Sequence, residues 1–291
     1  MKPAPFEYHA PTTVAEAVDL LARHGDDAKP LAGGQSLVPM LALRLARFEH
    51  LVDLNRVDGL RGVERVNGTL RVGAMTTQAT IEHDPDVARD VPLLAAATPL
   101  IGHFQIRNRG TVGGSLAHAD PASEYPAVAL ALDARFHVAT STGSREIAAA
   151  EFFEGTWQTA LGSDELLAAI RFPVWDGRCG FACDEVARRH GDFALAGAVA
   201  AVELDGSANV TRAGIALFGM GPAPVRAHDA ERALVGTRPT TEDELRELGE
   251  LAVRDTDPVD DVHASASYRR RVGAHLVGRT LRDAIDRAQE G

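Results

Sequence analysis

Cysteine is nearly absent from this 291-residue chain, which has only Cys179 and Cys183. Two thiols four residues apart supply neither a disulfide framework nor the ligands of a tetrahedral zinc or iron–sulfur site. Any metal-centred redox chemistry must therefore come from another chain. A surplus of positive charge is also missing: 30 Lys and Arg stand against 41 Asp and Glu, a net charge of −11. This excludes a nucleic-acid wrapper, because phosphate backbones are held by excess cations. No apolar run approaches the length that crosses a bilayer, and the opening MKPAPFEYHAP has prolines and a glutamate where a secretory signal would carry its apolar segment. The expected location is the cytoplasm. Internal repeats, low-complexity tracts and blocks of like charge are lacking as well.

What is present is ordinary globular material: 45% hydrophobic residues, 24% charged residues and 27 glycines, enough for a large core in one big or two modest domains. Residues 13–24 place Val14, Ala17, Val18 and Leu21 at helical spacing, with Thr12 or Thr13 as cap and Gly25 as stop. A short strand over 29–32, a turn at Gly33 and Gly34, a helix capped by Ser36 and carrying Leu37, Met40, Leu41, Leu43 and Leu45, and a strand over 50–55 together predict a small β-α-β unit. Alternation across 60–74, broken by Asn67-Gly68, predicts a hairpin.

Helices are expected over 77–82, 92–100 and 123–132, the last with Pro126 tolerable only in its first turn, and a strand pair over 135–140 and 144–148. Residues 166–173, 180–187, 194–204 and 210–218 read as a further antiparallel sheet. Helices over 241–253 and 268–288 close the chain, the latter with Val272, Leu276, Val277, Leu281 and Ile285 on one face, which suits a cover for the sheet beneath it better than a docking surface. The expected division is residues 1–174, split into 1–56 and 57–174, followed by 175–291.

Two glycine pairs carry the chemical interest. In Ala32-Gly33-Gly34-Gln35-Ser36 adjacent glycines let backbone N–H groups approach an anion, and the following helix adds a favourable field, although a plain turn would use the same residues. In Thr111-Val112-Gly113-Gly114-Ser115 a second pair lies among hydroxyls, follows Arg107 and Arg109, and could hold the same anion from the other side; its bland alternative is a bulge or tight corner with the arginines on a solvated surface. Two such loops suit a diphosphate, since each phosphoryl group needs its own donors. Neither has the Gly-Lys-Ser/Thr ending of a nucleoside-triphosphate loop or the G-x-G-x-x-G spacing of a Rossmann turn. Gly219-Met220-Gly221 reads as a turn. His118, Asp120 and Glu124 lack metal-ligand spacing and suit caps and loop hydrogen bonds, and no G-x-S-x-G elbow makes a nucleophile of Ser36 or Ser115.

AGGQSLVPMLALRLA (32–46), IRNRGTVGGSLAHADPASEYPAVALALDA (106–134), EVARRHGDFALAGAVAAV (185–202) and YRRRVGAHLV (268–277) resemble, in order and across nearly the whole chain, the FAD-binding medium subunit of molybdenum hydroxylases, the family of the carbon monoxide and xanthine dehydrogenase flavoproteins. The resemblance implies an α+β, two-subdomain FAD-binding fold of the PCMH/VAO type with mixed and antiparallel sheets, plus a C-terminal antiparallel sheet with helices. It implies FAD in this chain. It also implies a large molybdopterin subunit that oxidises substrate and a small subunit with two [2Fe–2S] clusters, assembled as a dimer of heterotrimers. Electrons would pass from the clusters through FAD to an external acceptor.

Carried over by position, the resemblance assigns Ala32, Gly33, Gly34, Gln35, Ser36 and Leu37, together with Thr111, Val112, Gly113, Gly114 and Ser115, to the diphosphate and ribityl region of FAD. Glu124 stands where relatives often have an aspartate beside the ribityl chain. Ile101 and Leu167 align with apolar positions packed on the cofactor, a role that ordinary core residues mimic. Gln35 replaces the histidine that carbon monoxide dehydrogenases often show, and acidic residues occupy 184–185, where some relatives place an aromatic or a lysine near the flavin ring. No residue of this chain is assigned acid–base or nucleophilic work, because the flavin carries the redox chemistry. Two competing readings are a self-contained FAD-dependent reductase of the same superfamily and a scaffold with an empty pocket.

Overall fold

The computed structural model describes residues 2–238 and 241–290. The chain begins with a three-stranded parallel sheet in the order Glu7–His9, His50–Asp53, Ala28–Leu31. Its crossover helix Val14–His24 starts at a reciprocal cap, in which Thr13 Oγ1 accepts from the Glu16 amide and Glu16 accepts from the Thr13 amide. Ala17, Val18 and Leu21 bury one face of this helix against Val52 and Leu54, as the spacing predicts.

A five-stranded antiparallel sheet follows, in the order Val63–Val66, Thr69–Gly73, Leu166–Pro173, Arg135–Thr140, Gly143–Ala148. Asn67 and Gly68 turn its first hairpin with φ of 50° and 75°, the left-handed pair that such a turn requires. The strand at 166–173 departs from expectation. Residues 166–173 form the centre of this middle sheet and not part of the C-terminal one, because they pair with Thr69–Gly73 and Arg135–Thr140. Alternation identifies a strand but does not choose its neighbours.

The last sheet is an antiparallel meander of Arg178–Val186, Ala196–Leu204, Val210–Phe218 and Val225–Arg226. Ala196–Leu204 is buried on both faces, which explains its nearly unbroken apolar run. Val199 and Ala201 join the main core with Tyr125, Phe136 and Phe172. Ala198, Ala200 and Val202 face the helix Ala266–Glu290, whose Leu276, Val277, Leu281 and Ile285 complete a second core. The long helix thus covers its own sheet.

Candidate functional site

All three parallel strands run the same way, so the loops leaving the carboxyl ends of Ala28–Leu31 and His50–Asp53 open on one side, the usual side for ligands on such sheets. The first of these loops is Ala32–Ser36. Gly34 adopts φ +73°, and Gln35 folds back so that its Nε2 donates to the Gly33 carbonyl at 3.1 Å. Among the described residues the amides of Gly33, Gly34, Gln35 and Ser36 have no hydrogen-bond partner. Ser36 is not the side-chain cap expected from the sequence: it occupies the cap position with φ −100° and ψ −49° and makes no cap bond. That leaves its hydroxyl free. The helix it precedes, Leu37–Leu43, is short and buries only Leu41, while Val38, Leu43 and the following Leu45 are exposed.

The second glycine pair is not in a loop. Thr111 caps the helix Val112–His118 by accepting from the Gly114 amide at 3.0 Å, so Gly113 and Gly114 lie in its first turn. Its amides are already used: Val112 donates to the Thr76 carbonyl, Gly113 to Ala74 and Ser115 to Thr111. Thr111, Val112 and Gly113 are buried, leaving Gly114 and Ser115 partly open. The expectation of two backbone cradles is thereby corrected to one cradle of free amides and one helix end that offers a smooth glycine surface and the Ser115 hydroxyl. Arg107 is corrected too. It is buried, its Nε donates to Glu82 at 2.7 Å, and its Nη1 donates to the carbonyls of Ile101 and Gly102, so it braces the loop before the helix and is not free for a ligand anion.

The two segments nevertheless meet. A Cβ on Gly33 would overlap the Arg109 carbonyl, and one on Gly114 would stand 3.2 Å from Ala32 Cβ. Beside this contact lies a cleft of about 440 Å³ between Tyr8, residues 32–35 of the glycine loop, Pro39, Asn55 and the exposed Arg109; Ser36, Leu37 and residues 111–115 do not line it. A hydrogen-bond chain forms its floor. Tyr8 Oη donates to Asp53, Asp53 Oδ1 accepts from Asn55 Nδ2 at 2.6 Å, and Asn55 Nδ2 donates to the Ala32 carbonyl at 3.2 Å. Free consecutive amides, two glycines without Cβ atoms and one cation suit a diphosphate group. Sequence reasoning missed Tyr8, Asp53 and Asn55. The available signal was topological, since these residues lie at or beside the strands whose ends open on the glycine loop.

The other candidates lie elsewhere. Ile101 packs half-buried against the main core, and Leu167 is inside it at an irregularity of the central strand; neither lines the cleft. Asp120 accepts from the Ala122 amide and Trp157 Nε1, the loop role expected of it. Glu124 opens the buried helix Glu124–Ala131 with Pro126 in the first turn. Burial first, and then the charge of Glu185, pushes its carboxyl up to about 8; burial likewise pushes Glu185 up to about 7, with Asp184 adding to it. Desolvation pushes the half-buried Cys183 thiol well above its ordinary value, with the nearby Glu124, Glu185 and Asp184 adding to it, which disfavours the thiolate.

Comparison with known proteins covers nearly the whole chain. Residues 4–175 match the family described as FAD binding domain in molybdopterin dehydrogenase, and residues 181–284 match the CO dehydrogenase flavoprotein C-terminal domain. The 6-hydroxypseudooxynicotine dehydrogenase complex subunit alpha of Paenarthrobacter nicotinovorans is 41% identical over 289 residues, 99% of this chain and 97% of that protein. The carbon monoxide dehydrogenase medium chain of Hydrogenophaga pseudoflava is 38% identical over 284 residues, 98% of each chain. A solved structure of carbon monoxide dehydrogenase from the same organism, lacking the Mo-pyranopterin moiety of the molybdenum cofactor, superposes with a TM-score of 0.96 at 40% identity and covers 99% of each chain.

Proposed function

Because the chain belongs to the family of FAD-binding medium subunits of molybdenum hydroxylases, an oxidoreductase family with an α+β FAD-binding fold, we propose that it is the electron-transfer subunit of such a complex. Its partners would be a large molybdopterin subunit and a small [2Fe–2S] subunit, in a dimer of three-chain units in the cytoplasm. FAD held by this chain would supply the redox chemistry, the transfer of electrons from the iron–sulfur clusters to an external acceptor. The observation that carries the reading is the cleft lined by Arg109 and by Gly33, Gly34 and Gln35, in a loop whose amides from Gly33 to Ser36 are unpartnered and against whose Ala32 Gly114 packs.

In this reading the amides of residues 33–36 donate to the cofactor's diphosphate, with the Ser36 and Ser115 hydroxyls beside them and Arg109 supplying positive charge. Ala32 and Leu37 bound this loop and fix where it leaves the strand and enters the helix. Thr111 positions the second segment by capping it, while Val112 and Gly113 seat that helix on the middle sheet. Ile101 and Leu167 would support the cofactor from the core, and Glu124 would hold a proton on its carboxyl near neutral pH. Relatives of similar identity are named for 6-hydroxypseudooxynicotine and for carbon monoxide, which supports placing substrate choice on the molybdenum-bearing partner.

Native mass spectrometry of the complex purified from its source, with metal and flavin analysis, tests the proposal. The expected result is one FAD per copy of this chain and two other polypeptides that bring molybdenum and iron. A lone flavoprotein that turns over NADPH would overturn it in favour of the self-contained reductase.

A further inference from the structure

Three imidazoles gather on the face of the parallel sheet opposite the cleft. Along Glu7–His9 successive side chains alternate faces, so Tyr8 points to the cleft while Glu7 and His9 point away from it. His50 heads the adjacent strand in register with Glu7. His24 ends the helix that packs on this same face. His9 Nε2 lies 3.1 Å from His50 Nδ1, and Glu7 Oε2 lies 3.4 Å from His50 Nδ1 and 4.0 Å from His9 Nε2. One ring nitrogen from each of the three histidines falls within 4.8 Å of the other two.

Ligands at zinc–nitrogen distances of about 2.0–2.1 Å stand about 3.3–3.4 Å apart at the corners of a tetrahedron. The three histidine nitrogens supply three corners, and the exposed Glu7 carboxylate, 3.4 Å from His50 Nδ1 and 4.0 Å from His9 Nε2, stands where it can swing in as the fourth. We propose that His9, His24, His50 and Glu7 form a site for a divalent transition metal of the zinc type. Three imidazoles and one carboxylate suit zinc and its neighbours and not magnesium or calcium, which take oxygen ligands.

The His24 and His50 rings stack with centroids 3.6 Å apart, closer than two imidazoles stand on one tetrahedral ion, so binding would turn His24 about its side-chain torsions to bring a nitrogen to the metal. Access agrees with the site. The His9 and His50 side chains are 23% and 15% exposed and Glu7 74%, so an ion can enter from the Glu7 side. The metal would tie together the first strand, the end of the crossover helix and the middle strand. These strands also carry Tyr8 and Asp53 at the cleft floor.

Full-length, FAD-loaded protein stripped with a chelator and titrated with Zn²⁺ against a chromophoric competitor tests the site. One ion per chain should bind with sub-micromolar affinity, and His9→Gln, His24→Gln and His50→Gln should each weaken that event about tenfold or more. His228→Gln, an exposed histidine on another element, should change nothing. Retained flavin absorbance confirms that each variant is folded; Co²⁺ in the unaltered protein should give the intense visible bands of four-coordinate cobalt. Zinc binding unaffected by the three substitutions, or a weak octahedral cobalt spectrum, would overturn the proposal.

Discussion

Gly33 and Gly34 are neighbours that are glycine for different reasons. At Gly33 the space for a Cβ is filled by the Arg109 carbonyl, so Gly33→Ala should force the two segments apart and cost about 1–3 kcal/mol, read by urea denaturation. At Gly34 the backbone is left-handed, and a Cβ would stand 3.1 Å from Val38 Cγ2 at the edge of the cleft. Gly34→Val should therefore cut FAD retention sharply while leaving the subunit largely folded, as flavin absorbance after gel filtration will report. Gly114→Val should do the same, since its Cβ would press on Thr111 Oγ1 at 2.7 Å and Ala32 Cβ at 3.2 Å. Full occupancy in both valine variants would show that the cofactor is held elsewhere. The glycine pairs were legible in the sequence because few other residues serve at such positions. That the second pair has no spare amides was not, because the carbonyls that consume them belong to Ala74 and Thr76 on a distant part of the chain. Arg107 was misread for a related reason: its partner Glu82 sits 25 residues away.

Elements with strong local signals formed where the sequence placed them, including the crossover helix with its reciprocal cap, the Asn67-Gly68 hairpin and the long C-terminal helix. Local signals fail where tertiary pairing decides. The strand at 166–173 joined the middle sheet, and the glycine pair at 113–114 became a helix start once Thr111 could cap it. That cap is testable in isolation. Thr111→Val keeps the side chain's shape but removes the oxygen that accepts from the Gly114 amide, which should cost about 1 kcal/mol and speed hydrogen exchange at the Gly114 amide. An unchanged exchange rate would mean that the helix start is held by its backbone contacts to Ala74 and Thr76 alone.

At the scale of the whole molecule, Glu124 and Glu185 place two carboxyls between the helical layer and the C-terminal sheet. Both are raised from an ordinary value of 4.5, to about 8 and about 7. The folded chain keeps these protons while the unfolded chain has released them, so stability is fully present below about pH 4.5 and declines as pH rises towards 8. The slope should reach up to about 1.4 kcal/mol per pH unit for each group. Glu124→Gln should flatten much of that decline in denaturation curves taken between pH 5 and 8.5; an equally steep decline in the variant would assign it to other groups.

The strand Ala196–Leu204 is sealed on both faces, by the long helix on one side and by the core of the middle sheet's helices on the other. Prising the C-terminal portion away would wet Val199, Ala201, Ala216 and Phe218 together. A large hinge between the glycine-loop cleft and this portion is therefore disfavoured, and in the proposed complex a partner would meet a stiff block whose separation from the cleft is set at assembly and not by gating.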